Sequence, residues 1–198
     1  MRPDPKSHRF TPALILLAVI LSIFPAACAP VTAAPQSEVA TDECGPIEPT
    51  DKDLQYVMSF GQEIFSSKDW IKSYTVEPYK ISLSRHNDAL NAISYIEYLI
   101  YTCGYSQANL NNYFNDQGFN VIFGGYESHT LAKFCEKKSL ALYEYDLVNN
   151  GADYVAHYWV KQDTETRVLV VMIVLPKDNP TLMNQYSQKL FPDLTSCP

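Results

Sequence analysis

Apolar and polar positions change rhythm several times along this 198-residue chain, and each rhythm predicts an element. From Asp51 to about Ser66, Leu54, Val57, Met58, Gly61 and Ile64 recur on one face, the spacing of an amphipathic helix. Between Tyr74 and Leu83 the period shortens: Tyr79, Ile81 and Leu83 alternate with Lys80, Ser82 and Ser84, which predicts a half-buried strand with Pro78 at an edge or bulge. Residues 88–103 return to helical spacing through Leu90, Ile93, Ile96, Leu99, Ile100 and Cys103, with Asn87 as N-cap and Gly104 as the stop. A second helix follows from Ser106, turning Leu110, Tyr113 and Phe114 inward and ending at Gly118. Phe119 to Phe123 then reads as a short strand halted by Gly124-Gly125, and Ser128 to Cys135 as a short helix.

The last third has the plainest pattern. Residues 139–147, 153–161 and 166–175 read as three strands, joined by Asn150-Gly151, a strong two-residue hairpin signal, and by the turn "QDTET". The run Val168 to Leu175 is apolar without alternation, so both faces of that strand should be covered. A closing helix starts at Asn179 with Pro180 in its first position, buries Leu182, Met183, Tyr186 and Leu190, and stops before Pro192. The fold class expected is α+β: a C-terminal three-strand antiparallel meander plus one or two further strands, packed against helices and stapled by disulfides. In architecture this order is similar to the cone-shaped NTF2-like and cystatin-like folds, although no motif of either is present.

Ahead of the domain lies a different kind of segment. Arg2, Lys6 and Arg9 precede an apolar run from Ala13 to Phe24, broken only by Ser22, and small residues follow at Ala26 and Ala27. That is the three-part pattern of an export signal, and twelve residues fall short of the roughly 20 that span a bilayer as a helix. The residues Pro25-Ala26-Ala27-Cys28 resemble the lipobox of bacterial lipoproteins, with Pro25 standing where that family has Leu. The resemblance implies a signal peptide over 1–27, a Cys28 carrying acyl chains of the palmitate kind, and a membrane anchor on the extracytoplasmic side of the cell membrane or in the outer membrane. The alternative is an ordinary signal cut elsewhere, for instance after Ala34. Residues 28–43 contain no aromatic residue and read as a flexible tether, and residues 44–198 as a single domain.

Five cysteines are an odd number, and setting Cys28 aside leaves Cys44, Cys103, Cys135 and Cys197 to pair in an oxidising compartment. Spacing alone allows three connectivities. Cys103 with Cys135, and Cys44 with Cys197, is the expected set, since the second bond would tie the two ends of one domain together.

Three of the 15 basic and one of the 22 acidic residues precede Cys28, which leaves 12 against 21, a charge of −9 after processing. Such a balance argues against nucleic acid as a partner, and no basic run with interleaved aromatics is present. The seven glycines form no phosphate-cradling loop, and no G-x-S-x-G, H-E-x-x-H or C-x-x-C occurs. Of the histidines, His86 and His129 read as exposed loop residues, and no metal or cofactor is expected.

His157 is the candidate with chemistry around it. On one strand it shares a face with Val155 and Trp159, and the neighbouring strand offers Glu144 and Asp146. Trp159, His157, Tyr143 and Tyr145 are the candidate binding residues, drawn from a chain with 14 tyrosines. The expected function is a non-catalytic binding or envelope-associated module for a protein, glycan or small molecule. The alternative is a small hydrolase or isomerase with an NTF2-like cone pocket and His157 as general base, partnered by Glu144 or Asp146.

Overall fold

The computed structural model describes Gly45, residues 47–101, Leu110 and residues 114–198, with four helices and seven strands among them. Cys28, the tether, Cys44, Cys103 and most of the helix expected from Ser106 lie outside the described residues.

Helix α1 (Asp51–Ser59) opens with a capping box: the Thr50 hydroxyl accepts from the Asp53 amide, and the Asp53 carboxylate accepts from the Thr50 amide at 2.9 Å. The helix expected to run on to Ser66 is broken at Gly61, whose φ of 67° lies in the left-handed region, and only one turn, α2 (Gln62–Phe65), follows. Strands β1 (Ile71–Glu77) and β2 (Lys80–Asn87) form a hairpin where a single strand was expected. Pro78 and Tyr79 make its turn, a place where the missing proline N–H costs no ladder bond.

The stripe at 88–103 is a strand, β3 (Ala92–Ile100), instead of the expected helix. Ala92, Ser94, Ile96, Tyr98 and Ile100 point to the buried face, while the other face carries Ile93, Tyr95, Glu97 and Leu99, of which only Leu99 is buried; with Ser94 inside and Ile93 and Tyr95 partly outside, hydropathy did not follow the alternation. Asn87 does hold a backbone amide, that of Leu90 at 3.1 Å, but as the bond of a β2–β3 turn instead of a helix cap. The reverse exchange occurs further on, where Phe119 to Phe123 is helical. Asn115 caps α3 (Asp116–Ile122) through the Gly118 amide at 3.0 Å, and the rings of Phe119 and Phe123 stack one turn apart. The segment expected as a short helix near Ser128 is β4 (Ser128–Lys137), an edge strand with little buried surface to mark it.

The meander is present as β5 (Leu140–Asn149), β6 (Ala152–Thr164) and β7 (Arg167–Pro176), with Asn150 and Gly151 both at positive φ as the tight hairpin demands. Helix α4 (Pro180–Leu190) then closes the described fold. All seven strands join one antiparallel sheet in the order β1-β2-β3-β7-β6-β5-β4. The architecture is α+β and dominated by its sheet.

Two apolar layers enclose the central strands. On one face Leu83, Ile96, Val171, Trp159 and Leu142 pack under Val57, Phe65, Met183 and Phe191, which come from α1, α2, α4 and the segment after it. On the other, Val168, Val170, Val160, Tyr158 and Tyr145 meet Leu110, Phe114, Phe119 and Phe123. Val168 to Leu175 of β7 is covered on both sides, except for half-buried Met172.

One disulfide is formed among the described residues, Cys135–Cys197, with Cα atoms 5.6 Å apart. It replaces the expected pairing of Cys103 with Cys135 and of Cys44 with Cys197. The cause is where the C-terminal segment runs: it leaves α4 across β5 and β4 on the α4 side, where Cys135 faces it, so the end of the chain is stapled to the sheet edge.

Candidate functional site

The structure gathers some of the candidates named from the sequence and separates others. His157 sits on β6 under α4, with Nδ1 3.1 Å from the Ser187 hydroxyl and Nε2 3.9 Å from Glu144. Glu144 in turn accepts from the Cys197 amide at 2.7 Å. A serine, an imidazole and a carboxylate are thus aligned, yet His157 and Ser187 are buried and Ser187 exposes nothing to solvent. No substrate carbonyl reaches that hydroxyl while α4 is seated. Trp159 is likewise sealed, donating through Nε1 to the Leu194 carbonyl at 2.9 Å and stacking on Phe191. Burial lowers the imidazole pKa and the neighbouring Glu144 opposes the shift, so His157 serves as a neutral hydrogen-bonding group within the packing.

Tyr143 and Tyr145 lie on the opposite face of the sheet, against the ring of Phe119 at 4.7 and 4.9 Å. The four aromatic candidates therefore do not share a surface. Asp146 is on β5 but is held by Lys177 at 2.8 Å. His86 is exposed on β2, and His129 contacts the Asn120 amide oxygen at 2.8 Å. Among the described residues no group of three or more His, Cys, Asp or Glu side chains is placed to hold a metal ion.

A different residue carries the unexplained chemistry. Along β2, Ile81, Leu83 and Arg85 point to the same buried face, so a guanidinium occupies what the alternation treats as a core position. Its Nη2 donates at 3.0 Å to the Phe60 carbonyl, which the break at Gly61 leaves outside the helical ladder, and the guanidinium carbon lies 4.7 Å from the Phe65 ring centre. Nη1 is buried and has no hydrogen-bond partner among the described residues. Burial lowers the Arg85 pKa to about 10, which leaves it charged at neutral pH. An unpaired buried charge costs several kcal/mol, on the order of what a missing partner would return.

Around Arg85 is a depression of about 300 Å³ lined also by Ser66, Ser67, Lys68, Trp70 and Lys72. Lys72 stands directly opposite Arg85 in the β1–β2 register, and like charges facing across a ladder repel. None of the depression's lining residues is Asp or Glu, and Asp69 beside it is turned to the Ser67 hydroxyl at 2.7 Å. The local field is positive on a chain whose formal charge is −7. A second cavity of about 240 Å³ lies between the β4–β5 turn and the end of α4 and is edged by Lys137, Lys138 and Lys161. There Lys137 and Lys161 already face Asp193 and Asp163 at 3.6 and 2.7 Å, so its charge is largely compensated.

Sequence reasoning passed over Arg85 because an arginine in an alternating strand reads as a solvent-facing residue. The available signal was its phase, two positions after Leu83 and four after Ile81.

No protein-family model matches the chain, and no curated protein matches it in sequence. Among solved structures the crystal structure of human STARD10 is similar at 11% identity, with 76% of this chain and 78% of that chain covered and a TM-score of 0.27. The functional reading therefore rests on this chain's own residues.

Proposed function

We propose that the chain is an exported lipoprotein, held to a membrane through Cys28, whose folded part is a non-catalytic module that binds an anionic ligand in the depression around Arg85. The lipobox-like Pro25-Ala26-Ala27-Cys28 supports the anchor. The observation that carries the binding reading is the buried, unpartnered Nη1 of Arg85, on a residue that stands opposite Lys72 in the ladder and lines the same depression. An anion there would accept hydrogen bonds from the guanidinium and relieve the repulsion between the two cations, with an attraction of about 4 kcal/mol per close charge pair at an effective dielectric of 20. Among the described residues no helix is long and apolar enough to cross a membrane, so the proposed acyl chains supply the attachment in this reading.

Two measurements test it. Mass spectrometry of the mature N-terminus should find an acylated Cys28, and a start at any other residue removes the anchor. Calorimetric titration of the mature protein with inorganic phosphate should show saturable binding that Arg85→Gln and Lys72→Gln each weaken about tenfold, with Trp70 fluorescence reporting occupancy. Binding untouched by either substitution would place the anion elsewhere.

A further inference from the structure

We infer that the ligand of the Arg85 depression is a short oligophosphate chain, with two or more phosphate groups in series, in preference to a single small anion; this rests on the anion site just proposed. The depression does not end at Lys72. A second, more open trough of about 690 Å³ shares Met58, Gln62 and Lys72 with it and continues to Lys52 and Gln55. Its direction follows α1, and at about 1.5 Å per residue the stretch from Lys52 to Ser59 adds about 10 Å of length. A single phosphate seated against Arg85 and Lys72 leaves Lys52 unused.

The two depressions together present Arg85, Lys68, Lys72 and Lys52, and no Asp or Glu lines either one. Lys52, Lys68 and Lys72 form no ion pair among the described residues. The neutral donors between them, the Gln62 amide and the Ser66 hydroxyl, suit the several acceptor oxygens of each phosphate better than the two of a carboxylate. The rest of the chain bounds the ligand's size. With acidic residues in excess over the whole chain, a long polyanion such as nucleic acid is repelled wherever it leaves the trough, whereas a short one is focused into it.

The test compares orthophosphate with tripolyphosphate by calorimetry on the mature protein, in metal-free buffer at matched ionic strength. Tripolyphosphate should bind at least tenfold more tightly and lose affinity more steeply with added salt. Lys52→Gln should bring the ratio of the two affinities toward one, whereas Lys177→Gln, outside the trough and paired with Asp146, should leave both affinities as they were. Equal affinities in the unaltered protein, or a ratio that survives Lys52→Gln, would overturn the oligophosphate and leave the anion site standing. Absence of binding by either anion would remove the anion site itself.

Discussion

The Nδ1 atom of His157 and the hydroxyl oxygen of Ser187 face each other at 3.1 Å in the buried layer between β6 and α4. This contact fixes how the fold should respond to mild acid. Burial holds the folded imidazole below its ordinary pKa, with Glu144 pulling the other way, while an unfolded histidine titrates near 6.5. Below that pH the unfolded chain binds a proton that the folded chain refuses. Stability is therefore complete above about 6.5 and falls as the pH drops through that value toward the folded pKa. Urea unfolding at pH 7.5 and 5.5 should show the loss, and His157→Gln should flatten it. A slope that His157→Gln leaves unchanged would assign the effect to other groups.

Asp53 and Arg167 act in a lower window. The Arg167 guanidinium grips the Asp53 carboxylate through Nε and Nη2, at 2.7 and 3.1 Å, and so ties the start of α1 to β7. Burial would raise this carboxyl, but the bonds from Arg167 and Thr50 outweigh it and hold the pKa at about 2 against an ordinary 3.8. A depressed carboxyl stabilises above its unfolded pKa, and that stability is lost as the pH falls from about 4 through 2. Asp53→Asn should cost about 2 kcal/mol at pH 7 and progressively less toward pH 2 in denaturant titrations.

The Cys135–Cys197 bond closes a loop of 62 residues, for which the chain-entropy estimate is about 4 kcal/mol. It works with three other ties on the same segment: Lys133 to the Cys197 carbonyl, Glu144 to the Cys197 amide and Trp159 to the Leu194 carbonyl. Replacing both cysteines by serine should lower stability by about 2 to 4 kcal/mol and admit water to the Trp159 indole, seen as a red-shifted emission. An unshifted spectrum with undiminished stability would show that the polar ties suffice alone.

How much of this was legible in the chain depends on whether hydropathy followed burial along each element. The meander was, because Asn150-Gly151 has a hairpin backbone built into it and because the unbroken apolar run of β7 states that both sides are covered. β3 was not, since apolar Ile93 and Tyr95 stand on its partly exposed face and polar Ser94 on its buried one, which blurred the alternation and left apolar spacings that fit a helix as well; its β-branched and aromatic content, "AISYIEYLI", was the better guide. α3 was misread for the opposite reason, a helix of seven residues too short to show a period. At the site, alternation in β2 held the information that Arg85 points inward. Only the fold shows the Phe60 carbonyl, the Phe65 ring and Lys72 converging on it.

The remaining cysteines yield a covalent prediction. With Cys135 and Cys197 bonded to each other, an even set leaves Cys44 and Cys103 as the second pair, both outside the described residues. The Ile47 amide donates to the Ile100 carbonyl at 3.5 Å, and Cys44 and Cys103 stand the same number of positions beyond those two residues in the chain. A non-reducing peptide map of the mature protein should link them, with no thiol free after denaturation. Two titratable thiols would refute it.

Gly61 decides whether the Arg85 site exists in this form. Its φ of 67° is strained for any residue with a side chain, and a Cβ there would come within 2.8 Å of Phe65 Cε2 and 3.0 Å of Leu190 Cδ2. Those atoms belong to the ring beneath the guanidinium and to α4, so neither yields without moving something else. Gly61→Ala should therefore cost about 1 to 3 kcal/mol, through backbone strain and overpacking together. The alternative open to the chain is to continue α1 as one helix. That would draw the Phe60 carbonyl back into the helical ladder and leave the second nitrogen of Arg85 without its acceptor. Phosphate affinity should then fall with stability, and a Gly61→Ala protein of unchanged affinity would separate the break in the helix from the site it frames.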